Sequence, residues 1–387
     1  MKSLKLYLLI VFAIITSYQA FTKPDFGING YLFNLASFTH SYQNSLYNLI
    51  EIPSSNSYTD LLRARFKPIL NINDNLRIDA QYEFNGMVSD RNLFVLTEIS
   101  ENRRQLFKIA QNIYTDEHSV INHYLDRFYI KYNDDFMAVT AGRQRISWGV
   151  GRIWQPTDLF NPLNPANFSK IEKDGADAVS AKFFLGYFTD IEIVYNPTMS
   201  KYSDNFGARF RTNISEYDMS LLGGRFDNRN ILGLDFTGNL FDAGLRGEAI
   251  YSFNSDDGIK DFLKFIIGLD YQFNSELYAL IEYQHNGQGS SDKLNYDFIR
   301  LANAEILNVA KNYLAINAAY RLNDSGTLGA SNIINFDDGS GLSALSYIYQ
   351  YSQNLQFNAS AMLTYGSKGS EYRFYPLSVY LISEYYF

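Results

Sequence analysis

The chain has 387 residues, no cysteine and a formal net charge of −8. Without cysteine it holds no disulfide, no thiolate metal centre and no lipid-modified thiol, and its acidic balance argues against general nucleic-acid binding. The 31 Tyr and 30 Phe, against 2 Trp, suit a wall whose rims need rings with a polar tip.

Residues 1–20 read as an export signal: Lys2 and Lys5 precede the apolar run Leu6 to Ile15, and small and polar residues follow to Ala20. That run is too short for a membrane helix, and no later stretch approaches the ~18 apolar residues one requires. Any further membrane crossing is therefore made by strands.

From there to the end, alternation of apolar and polar residues dominates. Leu76, Ile78, Ala80, Tyr82 and Phe84 alternate with Arg77, Asp79, Gln81 and Glu83, and the same period runs through 206–214 and 355–365. Expected strands are 26–39, 58–69, 75–85, 122–132, 136–146, 178–186, 189–196, 204–215 and 217–226. They continue at 229–238, 241–252, 261–273, 276–286, 311–322, 326–336, 340–351, 354–366 and 375–387. Helices are expected only in two connectors, over Glu101 to Tyr114 and Asp297 to Ala310.

Connectors after even strands are short and rich in Asn and Asp, while those after odd strands are often long. Short turns on one rim and long loops on the other predict an all-β, transmembrane antiparallel barrel. The count is about eighteen strands, with sixteen as the alternative, in one domain spanning 21–387.

The third long loop carries the densest local signal, GRQRISWGVGRIWQPTDLFNPLNP from Gly142 to Pro165. Its glycines permit tight paths and its prolines stiffen the chain. In its place after the fifth strand it resembles the loop that in many porins folds into the lumen, which implies an inward constriction with Arg143, Arg145, Trp148, Arg152, Trp154, Asp158 and Asn161 as the candidate site residues. Strict alternation from Met137, Val139 and Ala141 would turn Arg143 and Arg145 toward lipid, so a bulge at Gly142 is expected to reverse the parity. The spacing of GRQ, Trp148-Gly149, Pro156, Asp158, Asn161 and Pro162 resembles porin-like outer-membrane proteins, the broad group of phosphate-selective porins and alginate-export-type barrels. That resemblance implies a passive or facilitated channel for small solutes and leaves the solute open. Homotrimers are common among such porins.

With Leu62, Ala64 and Phe66 facing out, Arg63 and Arg65 line the interior, as do Arg127, Lys131, Arg209 and Arg211. These predict a locally basic lumen that favours anions or acidic sugars. Asp79, Glu83, Glu248, Asp270 and Glu282 also face inward, which leaves a mixed, weakly selective lumen as the alternative.

The last strand ends on Tyr385 and Phe387. An aromatic terminus after alternating apolar residues resembles the signal by which Gram-negative outer-membrane proteins reach the barrel-assembly machinery. No catalytic motif, cofactor site or metal site is expected: the four histidines lack a metalloprotease pattern and no serine sits in a G-x-S-x-G setting. The chain is read as a channel in outer-membrane lipid and not an enzyme. A polysaccharide-export or assembly barrel is the alternative, with a barrel hydrolase less favoured.

Overall fold

Alternating side chains produce strands that are apolar on one face only, and here those strands close on themselves. The computed structural model describes residues 24–46, 50–91, 93, 104–161, 172–198, 203–256, 258, 260–302 and 306–387. The expected export signal lies outside the described residues. The wall begins with β1 (Asp25–Ser41), β2 (Ser55–Asn71), β3 (Leu76–Ser89), β4 (Ser119–Asn133), β5 (Met137–Gln144) and β6 (Ala176–Phe184). It continues with β7 (Asp190–Asn196), β8 (Asn205–Ile214), β9 (Tyr217–Phe226), β10 (Arg229–Leu240), β11 (Ala243–Phe253) and β12 (Phe262–Gln272). The last six are β13 (Leu277–Asn286), β14 (Asn312–Arg321), β15 (Gly326–Asn335), β16 (Gly341–Gln350), β17 (Leu355–Tyr365) and β18 (Leu377–Tyr386).

Each strand pairs antiparallel with the next, and β1 pairs with both β2 and β18. The barrel is closed, so no edge backbone is left for lipid to meet. At the seam, Tyr31 stands opposite Tyr386 and His40 opposite Leu377. Beyond the last strand, Phe387 N donates to the Gly30 carbonyl at 3.1 Å, and the Phe387 carbonyl oxygen accepts from Gly30 N at 2.9 Å. Gly30 must lack a side chain, because a Cβ would sit 2.2 Å from the Arg65 carbonyl and 2.7 Å from the Phe387 ring.

One rim carries the short turns. Ser215 and Glu216, at φ 51° and 71°, make a two-residue turn whose left-handed backbone matches strand twist. The other rim carries the long connectors, although Asp227 and Asn228 turn tightly there as well, at φ 48° and 63°. Taking the long-loop rim as extracellular puts the strand termini on the periplasmic side.

The outside of the wall is apolar: Leu62, Leu221, Leu232, Leu345 and Leu381 are each more than half exposed. A belt this large is untenable in water and fits hydrocarbon. At the short-turn rim Phe136, Tyr187, Phe188, Phe241, Phe273 and Tyr351 are all exposed, forming the aromatic girdle that the composition anticipates. Among the described residues no helix is long and apolar enough to cross a membrane.

Two connectors differ from expectation. In place of a helix within 101–114, the described part holds a short strand, Ala110–Thr115, paired with β4. Ile109 and Ile113 are exposed while Leu106 is buried, so no helical face is gathered. The free edge of β4 above the end of β5 offers unpaired backbone, and pairing satisfies it. In the second connector only Phe298–Ala302 is helical among the described residues, preceded by a single tight turn at Lys293–Asn295.

Candidate functional site

β5 is only eight residues long, against fifteen in β4, because the chain leaves the wall at Gln144. Gly142 makes the departure possible at φ +128°, where a Cβ would lie 2.2 Å from the Phe128 carbonyl. Pairing of β5 with both neighbours runs unshifted through this glycine, so the bulge expected there is absent. The register shift lies instead in the β3–β4 ladder, where Asp126 is the extra residue opposite the Gln81 to Tyr82 step.

The gap left in the wall is filled by residues 104–115. Asp177 N donates to the Arg104 carbonyl at 2.9 Å, and Leu106 N and Phe107 N donate to the Asp177 carboxylate at 2.7 and 3.1 Å. Arg143 completes this patch. Its Nε and Nη2 donate to Asp177 at 2.8 and 2.9 Å, and its Nη1 donates to the Leu125 carbonyl at 2.9 Å. At 4% exposure it is a brace inside the wall and presents no charge to the pore.

Residues 145–161 then run into the barrel and dock on wall carboxylates. Glu248 on β11 accepts from Val150 N and Gly151 N, both at 2.5 Å, and from Thr157 N and Oγ1 at 2.9 and 2.7 Å. Glu282 on β13 accepts from Arg152 N, Ile153 N and Trp154 N at 2.9, 3.1 and 2.8 Å. Both carboxylates are buried by the loop they hold. Each carboxylate accepts from several successive backbone N–H groups, so a loop otherwise full of orphan donors becomes a stable insert.

Two aromatic anchors fix its sides. Trp148 packs edge-on against Phe160 at 5.1 Å and near Phe226 of β9 at 6.4 Å, while its indole N–H donates to Glu192 at 3.0 Å. Trp154 sits 6.0 Å from the Tyr313 ring, in a cluster with Ile266, Ile333, Leu342 and Met362. Asp158 is buried against Lys173, and Asn161 accepts from Ile146 N at 2.8 Å, which ties the loop's neck together. Five of the seven candidate loop residues, Arg143, Trp148, Trp154, Asp158 and Asn161, are thus buried in the insert or its root. Arg145 and Arg152 are exposed, and neither guanidinium has an ion-pair partner among the described residues.

The returning leg reaches a different wall. Glu172 accepts from Lys67 at 2.6 Å and Arg127 at 3.0 Å, with Arg65 at 3.5 Å. Glu248 and Glu282 lie on β11 and β13, and Lys67 and Arg127 on β2 and β4. Between the paired strands β5 and β6, the connector is therefore moored by its inner stretch on the far side and by its returning leg on the near side of an eighteen-strand barrel.

The basic residues expected to line the lumen are mostly held in pairs. Arg63 meets Glu83 at 2.9 Å; Arg65 meets Glu83 at 3.0 Å and also Asp126; Arg211 meets Asp190 at 2.6 Å. Arg209 donates to Ser220 at 3.0 Å and lies 3.9 Å from Asp235. Lys131 is half-buried on β4. Tyr385 and Phe387 are exposed at the seam, where the Phe387 ring lies 6.0 Å from Phe66. Sequence reasoning did not single out Glu172, Lys173 or Asp177. It placed Glu248 and Glu282 inward by alternation, but nothing in their own strands says that a loop's backbone lies against them.

No protein-family model matches the chain, and no curated protein matches it. Solved structures do. Pseudomonas aeruginosa OccK7 (OpdD) superposes with a TM-score of 0.58 at 9% identity, over 95% of this chain and 99% of that one. The outer membrane protein opdK from the same organism gives 0.57 at 8% identity, over 95% and 100%. The fold is that of an outer-membrane porin. Pseudomonas aeruginosa OprD matches this porin fold at a TM-score of 0.55 and 10% identity, over 95% of this chain and 96% of its own. At such identity the likeness concerns the porin barrel and its topology.

Proposed function

We propose that this chain is a passive channel of the outer membrane for small solutes, with its narrowest section formed by residues 145–161. The observation that carries this reading is the loop moored across the lumen by Glu248 and Glu282 at one wall and Glu172 at the other. A moored insert with a polar surface holds its shape while solutes pass, which a selective constriction requires.

Within that reading, the exposed Arg145 and Arg152 give the constriction a preference for anions, including acidic sugars. Because the wall arginines are largely matched by carboxylates, these two carry most of the preference. The narrower likeness to phosphate-selective or alginate-export-type barrels rests on the 142–165 motif. Insertion through the barrel-assembly machinery, with Tyr385 and Phe387 as its signal, a homotrimeric state, and export by a signal in residues 1–20 complete the proposal.

Reversal potentials across planar bilayers in a salt gradient test it. The wild type is expected to favour anions, and Arg145→Gln with Arg152→Gln to shift the potential toward cations. Cation preference in the wild type would overturn the assignment of selectivity. Liposome swelling with small solutes separates a channel from a polysaccharide-export or assembly barrel: a barrel that admits no solute is not a porin.

A further inference from the structure

β14–β18 form a continuous quarter of the wall, and together they contain only two charged residues, Arg321 and Glu384, both near the periplasmic ends of their strands. Their inward positions divide into two layers. Toward the extracellular side, Tyr313, Ala315, Ile333, Leu342 and Met362 pack beneath Trp154 and the loop residues Tyr296, Val309 and Tyr372 as an apolar roof. Just below that roof lies a hollow of about 170 Å³.

The hollow is lined by Asn317, Ser331, Ser346, Asn358, Ser360 and Tyr380, with small residues between them. Ser360 Oγ donates to Asn358 Oδ1 at 2.7 Å, which leaves the Asn358 amide N–H groups available. The side chains of Asn317, Ser331 and Ser346 have no hydrogen-bond partner among the described residues. Amides and hydroxyls each donate and accept, so the set complements a ligand whose own groups do both. One Tyr ring offers an apolar face with a polar tip. Among the described residues no charged side chain lines the hollow, so an ionic ligand would meet no counter-ion from them.

We infer that this hollow is a binding subsite for a neutral, polyhydroxylated ring, a monosaccharide unit, on its way through the lumen. The subsite rests on the reading of the barrel as a solute channel, and it specifies one chemical class that the channel admits. Hydroxyls of such a ring pair with Asn317, Asn358 and the serines, while its C–H face lies on Tyr380.

The test is saturation-transfer NMR on the purified barrel in an amine-oxide detergent, which has no sugar headgroup. Glucose is the probe and cyclohexanol the comparison of similar size. Glucose is expected to receive saturation from the wild type and cyclohexanol far less. Asn358→Leu and, separately, Ser346→Val should each weaken the glucose signal by about tenfold, equivalent to one well-made hydrogen bond with its desolvation. Heat-modifiable gel migration confirms that each variant is folded, and the two substitutions lie on different strands. Absence of a glucose signal in the wild type, an equal cyclohexanol signal, or signals unchanged in both folded variants would overturn the subsite. Bilayer conductance is measured in parallel. Ion conduction without glucose binding removes the subsite alone, whereas glucose binding lost in the variants without any conduction removes the channel reading and leaves the subsite standing.

Discussion

Two faces of the same lumen differ in what their inward positions carry. On β2 alone, Arg63, Arg65 and Lys67 point in and are answered by Glu83, Asp126 and the loop's Glu172. On β14–β18, amides, hydroxyls and uncharged apolar or aromatic groups occupy the equivalent positions. Both faces obey the same alternation, because lipid demands only that outward residues be apolar and leaves the inward ones free. The difference shows what each wall supports. The charged wall receives the returning leg of the inserted loop through ion pairs, and the neutral wall is roofed by the loop's apolar crest around Trp154.

The largest effect expected from breaking this contrast comes from stripping the charged wall of two acids. Arg65 is 3% exposed, and Asp126 and Glu83 are its buried counter-ions. Asp126→Leu combined with Glu83→Leu leaves the buried guanidinium with only the more distant Glu172, at 3.5 Å, as a counter-ion, at a cost of about 3–5 kcal/mol. A polar-to-apolar change on the other wall, Asn317→Leu, should stay within about 1 kcal/mol, since it strands no charge. Urea midpoints of heat-modifiable migration measure both. Equal losses would mean that the ion network is solvated and that the two walls are energetically alike.

Next in size is the mooring itself. Glu282→Ala removes the acceptor for three backbone N–H groups and is expected to cost about 2–4 kcal/mol of loop anchoring. Global unfolding should change less than the pore: single-channel conductance should rise and fluctuate as the crest leaves β13. Conductance indistinguishable from the wild type would show that the Trp148 and Trp154 anchors hold the loop without the carboxylate.

These dependences also mark what the sequence could reveal. Strand number and the two-rim rhythm were legible because alternation and turn chemistry are local, and each expected strand has its counterpart in the barrel. The inward loop was legible from its place after β5, where it resembles the third loop of porins, with its Gly and Pro content in keeping. Its internal order was not. Arg143 looked like a pore charge, yet a segment more than thirty residues upstream in the chain supplies the Phe107 carbonyl and, with Asp177, buries it. Glu172 belongs to a connector without periodicity, and its partners on β2 and β4 are fixed only by barrel closure. The neutral quarter escaped notice because its signal is missing charge, which becomes visible only once five strands are known to be neighbours.

The smallest effect concerns the neutral wall's roof, whose buried carboxylate belongs to a loop and not to a strand. Glu371 accepts from the Tyr313 hydroxyl at 2.7 Å and Asn335 Nδ2 at 2.9 Å, with Val309 N at 3.4 Å. Burial pushes its carboxyl up to about 8, against the hydrogen bonds that favour the charged form, and nearby Asp338 raises it further. A carboxyl whose folded value lies above its unfolded one stabilises most when protonated in both states, so its contribution is full below about pH 4.5 and is lost as pH rises through about 8. The roof should therefore loosen in mild alkali. In a Trp148→Phe background, emission from Trp154, 6.0 Å from Tyr313, reports the roof directly. Glu371→Gln, which stays neutral, should flatten the transition; a transition that persists in that variant would show that Glu371 does not drive it.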